Sequence, residues 1–158
     1  MITIKGLKDE DFVNYKKPSM FIAFPSCTWK CERECGKKVC QNSTLATSPS
    51  IKIEPQGIVQ RYIDNLITKA FVFGGLEPLD SWKDLMALID AIRSETSDDI
   101  VIYTGYKKEE IENQLQHLHK YPNIIIKFGR YIPDQEKHYD DVLGIYLASD
   151  NQYAEKIS

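Results

Sequence analysis

Cys27, Cys31, Cys35 and Cys40 are all the cysteines of this 158-residue chain, and they crowd into the stretch CTWKCERECGKKVCQN. Thiolates are soft ligands suited to zinc and to iron–sulfur clusters. Cysteines spread through a core for packing would not bunch in this way, so the group reads first as a metal site. Structural zinc sites draw ligands from separated knuckles that reach the ion from opposite sides. Here one short loop, with three, three and four residues between successive cysteines, would supply everything. An iron–sulfur cluster is larger than a single ion, and its irons can be reached by thiolates of one wrapped loop. An iron–sulfur cluster is therefore the expected occupant, with zinc and plain packing as the competing readings. Were three of the four cysteines to ligate, one iron would be left open for a substrate.

The elements that must position this loop follow from the rest of the chain. Its length suits one domain, residues 1–158, able to bury roughly 70% of its unfolded surface. Composition is that of a globular protein, 42% hydrophobic and 27% charged, and a formal charge of -3 gives no reason to expect nucleic acid as partner. The opening MITIKGLKDEDF has no apolar leader core, and no run approaches the ~20 apolar residues of a membrane span. No membrane association and a cytoplasmic location are expected, where thiols stay reduced and clustered cysteines bind metals.

Past the cysteines, Gln41 to Gly57 is polar, rich in Ser, Thr and Pro, and reads as a long loop. Alternation then begins. Helical stripes (Ile58, Val59, Tyr62, Ile63, Leu66 and Ile67; Trp82, Leu85, Met86, Ile89 and Ile92; Ile111, Leu115 and Leu118) separate short apolar runs. Asp80 or Ser81 stands where the second stripe needs an N-cap. The runs lie near residues 20–25, 70–73, 100–103, 124–128 and 143–147. β-Branched runs without polar alternation predict strands buried on both faces, as in a parallel sheet covered by helices. About five βα units are too few for a closed eight-stranded barrel of roughly 250 residues. The expected fold is α/β, a partial (βα) barrel of about five to six parallel strands or a doubly wound sheet. Ligands sit at the carboxyl ends of the strands in either architecture. Cys27, Gly74-Gly75, Thr104-Gly105 and Gly129-Arg130 all follow predicted strand ends, so they should share one edge.

In that order these segments resemble a known family. A Cys-x-x-x-Cys pair after the first strand, a third cysteine soon after, and a Gly-Gly-Glu-Pro-like turn after the second strand look like radical S-adenosylmethionine enzymes. More narrowly, the chain is similar to the small activating proteins of anaerobic (class III) ribonucleoside-triphosphate reductase. Three further segments carry that likeness: Cys40-Gln-Asn42, Tyr103-Thr-Gly-Tyr106 followed by Lys-Lys-Glu-Glu-Ile, and Ala148-Ser-Asp-Asn-Gln152. The resemblance implies a radical S-adenosylmethionine type partial barrel with a [4Fe–4S] cluster on Cys27, Cys31 and a third thiolate. It implies S-adenosylmethionine on the open iron, held by Gly74, Gly75, Glu77 and Thr104, with Tyr103 along the nucleoside. Reductive cleavage to a 5'-deoxyadenosyl radical would serve to install a glycyl radical on the reductase, with an electron donor such as flavodoxin.

The chain departs from the family's pattern in three places. The usual spacing would put a cysteine at Glu34, where none stands. The neighbouring Gln41-Asn42 matches the third ligand to Cys40 and makes residues 32–39 an inserted finger, with Cys35 as the alternative third ligand. The turn reads Gly74-Gly-Leu-Glu-Pro78, one residue longer than usual, and Tyr15-Lys-Lys-Pro-Ser19 replaces the usual glycine- and arginine-containing stretch. Two other readings therefore stay open. One is a minimal protein of the same chemistry acting on another peptide or small molecule; the other is a non-catalytic metal-binding adaptor.

Overall fold

The computed structural model describes residues 1–26 and 43–158, so Cys27, Trp29, Cys31, Cys35 and Cys40 lie outside the described residues. The strands are β1 (Ile2–Ile4), β2 (Gly6–Asp11), β3 (Ser19–Phe24), β4 (Ile51–Ile53), β5 (Ala70–Gly75), β6 (Asp99–Tyr103), β7 (Ile124–Phe128), β8 (His138–Asp140), β9 (Ile145–Leu147) and β10 (Tyr153–Lys156). The helices are α1 (Ser43–Thr47), α2 (Pro55–Asp64), α3 (Trp82–Arg93) and α4 (Glu112–Leu118). One six-stranded sheet runs β10-β7-β6-β5-β3-β2. Its middle four strands are parallel, and β2 and β10 close its two sides antiparallel.

The βα units follow the apolar runs and helical stripes, except that the helix of the first stripe, α2, ends at Asp64 and leaves Leu66 and Ile67 exposed beyond it. Alternate residues of the parallel strands (Met20, Ile22, Phe24, Phe71, Phe73, Ile100, Ile102, Ile124, Ile126 and Phe128) are buried with the apolar stripes of α2, α3 and α4 in one core. Burying such a side chain contributes roughly 1.5–3 kcal/mol. The Tyr62 ring of α2 stacks on Phe71 at 3.9 Å, and its hydroxyl donates to Asp98 at 2.6 Å. The opposite face of the sheet carries a second, smaller cluster. Tyr15, Leu143 and Leu147 pack on Ala70, Val72, Val101 and Ile125. Beyond them, toward the carboxyl ends of the strands, Phe21, Gly74, Tyr103 and Lys127 of that face line a cavity.

Two expectations change, and a third holds in position only, Ser81 standing at the N-cap of α3. Residues 143–147 do not supply a parallel strand: Ile145–Leu147 pairs antiparallel with His138–Asp140 in a separate two-stranded sheet. Gly144, with φ of 71°, turns the chain there, so the apolar run is split before it can extend along the main sheet. The stretch after the cysteines is not one loop, because from residue 43 it holds α1, β4 and the start of α2. β4 pairs with β1, residue Ile2 opposite Ile53, which gives short exposed Ile-Lys-Ile a partner from far along the chain. α3 begins after Ser81 without a side-chain cap, and the Asp80 carboxylate instead accepts from the Tyr106 hydroxyl.

Candidate functional site

The parallel strands all end at one edge, and there the chain closes a cavity of about 400 Å³. That volume is in the range of small-molecule sites, roughly 300–1,000 Å³. Gly74, Gly75, Glu77 and Thr104, the residues expected to bind a cofactor, all line it, together with Gly105 and Gly129. Arg130 departs from its neighbours: its guanidinium forks onto the Glu110 carboxylate with two bonds of 2.7 Å. Such bidentate pairs combine charge and geometry. They pin the chain as it leaves β7.

Local chemistry explains the turn after β5. Gly75 has φ of 81°, and a Cβ there would lie 2.7 Å from Ala23 Cβ on the neighbouring strand. Only glycine permits both the left-handed backbone and that approach. The chain then turns back so that the Glu77 N–H donates to the Ser26 carbonyl at 2.6 Å, and Leu76 to Phe24 at 3.4 Å. Ser26 immediately precedes Cys27. The turn is thus tied to the root of the cysteine segment.

Glu77 is 7% exposed. Its Oε1 accepts from the Leu79 N–H at 3.1 Å and its Oε2 from the Gly105 N–H at 2.8 Å. The Thr104 hydroxyl lies near this carboxylate and accepts from the Tyr106 N–H at 3.0 Å. Burial pushes the Glu77 carboxyl up to about 7; nearby Asp80 adds to the rise, while the hydrogen bonds oppose it. The native chain therefore holds a proton that the unfolded chain has released between pH 4.5 and about 7. This contribution to stability is full below that window and is lost as pH rises through it. Urea denaturation across the window is expected to show wild-type stability falling relative to Glu77→Gln, which carries no titrating group there.

The third and fourth loops are joined in the same manner. Gly129, with φ of 103°, donates to the Tyr106 carbonyl at 3.1 Å. The Gly129 carbonyl accepts from Lys127 Nζ at 3.1 Å and Gln152 Nε2 at 3.4 Å. In the Ala148-Ser-Asp-Asn-Gln152 segment, Ser149 N–H donates to Gln152 Oε1 and Asn151 Nδ2 to the Arg130 carbonyl. Those polar side chains are turned inward to hold the loop after β7.

Several cavity residues were not among the expected site. Lys127 is 6% exposed, with its ammonium 5.5 Å from the centre of the Tyr103 ring. A buried lysine needs compensating partners, and one lining a cavity is suited to an anionic group. The signal was legible in Ile124-Ile-Ile-Lys-Phe128, where a single charge interrupts an apolar run. Asn14 and Tyr131 also line the cavity from loops, and Tyr146 from β9, and no local pattern links these positions to the parallel strands.

Among the described residues no group of three or more His, Cys, Asp and Glu side chains could hold a metal ion. No helix among them is long and apolar enough to cross a membrane. A cluster's irons take thiolates, and every thiol of the chain lies between residues 27 and 40. No curated protein and no solved structure matches the chain. A family model does: that of the 4Fe-4S single cluster domain, over residues 19–152. The matched region runs from the first residue of β3, through the cysteine segment and the loops after β5, β6 and β7, to Gln152. The chain belongs to the 4Fe-4S single cluster domain family.

Proposed function

We propose that this iron–sulfur chain is a radical S-adenosylmethionine protein that installs a glycyl radical on an anaerobic ribonucleoside-triphosphate reductase in the cytoplasm. The observation that carries this reading is the cavity at the carboxyl edge, one hydrogen bond from the residue that precedes Cys27. Cys27, Cys31 and Cys40 are the proposed thiolates, and the parallel strands are read as the wall of a partial (βα) barrel. When bound, the reduced cluster and S-adenosylmethionine supply one-electron cleavage of the sulfonium, releasing methionine and a 5'-deoxyadenosyl radical that takes a hydrogen atom from a partner glycine. A donor such as flavodoxin would provide the electron.

The chain's own part is to bind, orient and shield. The backbone of Gly74 and Gly75 offers a close approach at the cavity wall. Tyr103 and Tyr131 line the same cavity and offer it aromatic surface for a nucleobase, and Lys127 supplies a cation for a carboxylate. Tyr103 is kept from ionising by burial and is anchored through its hydroxyl to the Asn14 carbonyl at 2.6 Å. Lys127→Met is expected to weaken S-adenosylmethionine binding about tenfold or more, as loss of a charged hydrogen bond does. Isothermal titration under anaerobic conditions measures it.

The partner is tested by incubating reduced, cluster-loaded chain with S-adenosylmethionine and the anaerobic reductase of the same organism. A glycyl-radical doublet in the electron paramagnetic resonance spectrum of the reductase is expected. Cleavage of S-adenosylmethionine with no doublet would assign the same chemistry to another peptide or small molecule.

A further inference from the structure

We propose that Glu77 is a positioning residue, a strut that locks the turn after β5 to the turn after β6 instead of an acceptor for a ligand's amino group. This deepens the proposed function where it concerns the ligand, and rests on that reading there.

The geometry sets one carboxylate against two backbone donors from different loops. Oε1 takes the Leu79 N–H of its own turn and Oε2 the Gly105 N–H beyond β6. The Thr104 hydroxyl, which faces the same carboxylate, is itself held by the Tyr106 N–H. Beside this, the Tyr106 hydroxyl donates to Asp80, a second tie between the same two turns. The side chain that the extra residue Leu76 displaces along the turn thus already serves the fold.

The consequence reaches the whole edge. From the Ser26 carbonyl the bonds run to Glu77 N–H, through its carboxylate to Gly105, from the Tyr106 carbonyl to Gly129 N–H, and from the Gly129 carbonyl to Gln152. Every link in that belt save two is backbone to backbone; Glu77 and Gln152 supply the side chains. Glu77 joins the root of the cysteine segment, through its N–H, to the turn after β6, through its carboxylate. Burial raises its carboxyl toward neutrality, with Asp80 the acidic group facing it from the adjoining turn. Either protonation state keeps an acceptor for the Gly105 amide.

Amide hydrogen exchange on the full, ligand-free chain reads the strut without any cofactor. The Leu79 and Gly105 amides should exchange about tenfold or more faster in Glu77→Ala. In Glu77→Gln, whose single carbonyl oxygen replaces two acceptors, one of the two amides should stay protected. Wild-type protection of both amides in both variants would overturn the proposal. The second arm compares binding of S-adenosylmethionine with its analogue lacking the α-amino group. A strut requires Glu77→Gln to weaken both ligands by the same factor; selective weakening of the amino-bearing ligand would make Glu77 a direct contact. Were wild type to bind neither ligand, the proposed function would fall, while the exchange result would still decide the strut.

Discussion

Alanine at Cys27, Cys31 or Cys40 is expected to lower S-adenosylmethionine cleavage by two orders of magnitude or more, while Cys35→Ala costs less than about tenfold. The scale follows from metal sites at large, where even the partners that orient a ligand are worth about 10–100-fold. A three-thiolate cluster loses an anchor with each true ligand, whereas a spare cysteine supports only the finger around it. All four positions lie outside the described residues, so the assignment stands on sequence, on Gln41-Asn42 following Cys40. Iron content and product formation are measured together on each variant. Wild-type cleavage by Cys40→Ala, with loss in Cys35→Ala, would move the third ligand to Cys35. Loss with every one of the four would indicate a four-cysteine cluster with no open iron, which argues for the adaptor reading.

The second large effect is on stability. Gly75→Ala is expected to destabilise the fold by about 2–5 kcal/mol, joining a left-handed backbone penalty of about 1–2 kcal/mol to overpacking of about 1–3 kcal/mol. The added methyl would meet Ala23 at both Cβ, 2.7 Å, and Cα, 2.8 Å. Those atoms belong to the neighbouring strand, register partner of Gly74, and cannot move aside without shifting β3. Gly74→Ala is the internal comparison. Its Cβ would meet the Phe21 ring at 3.2 Å and Tyr103 Cβ at an ordinary 3.7 Å, and its φ is not in the left-handed region. Urea denaturation of both variants tests the contrast; equal losses would contradict the account of Gly75. Because β3 leads directly into the cysteine segment, Gly75→Ala should also disturb the cavity edge.

Much of this fold could be read in the sequence wherever strand and helix carry their own periodicity. The runs ending at Phe24, Phe73, Tyr103 and Phe128 are apolar on both faces because one face meets helices and the other a second, smaller cluster. Strand ends then brought Gly74, Gly75, Glu77 and Thr104 to one cavity, since parallel strands put all following loops on one side. What the sequence withheld is long-range. β2 is Gly-Leu-Lys-Asp-Glu-Asp, a polar string that becomes a strand only because β3 offers it hydrogen bonds. β1 and β4 are three residues each and exist as a pair. Asn14, from the loop after β2, and Tyr146, from β9, reach the cavity from opposite parts of the chain, and nothing local announces the meeting. The role of Gln152 was half legible: its motif was noticed, but its amide holds the Gly129 loop through bonds that depend on the antiparallel return of β10.

In the turn after β5, which carries Leu76 beyond the Gly-Gly-Glu-Pro of the resemblance, Gly75 packs against Ala23 and Glu77 accepts from the Gly105 amide. The cavity keeps its position at the strand ends, while the side chain that the resemblance assigns to a ligand becomes part of the wall.

The central claim is that an iron–sulfur cluster beside this cavity cleaves S-adenosylmethionine reductively, and product formation measures it most directly. The chain is purified and loaded with iron and sulfide without oxygen, reduced with dithionite, and mixed with S-adenosylmethionine. 5'-Deoxyadenosine and methionine are then quantified by mass spectrometry against the cluster content. The account predicts both products in equal amounts, dependent on reductant and lost in Cys27→Ala. No 5'-deoxyadenosine at full cluster occupancy would contradict it and leave a metal-binding domain without this chemistry.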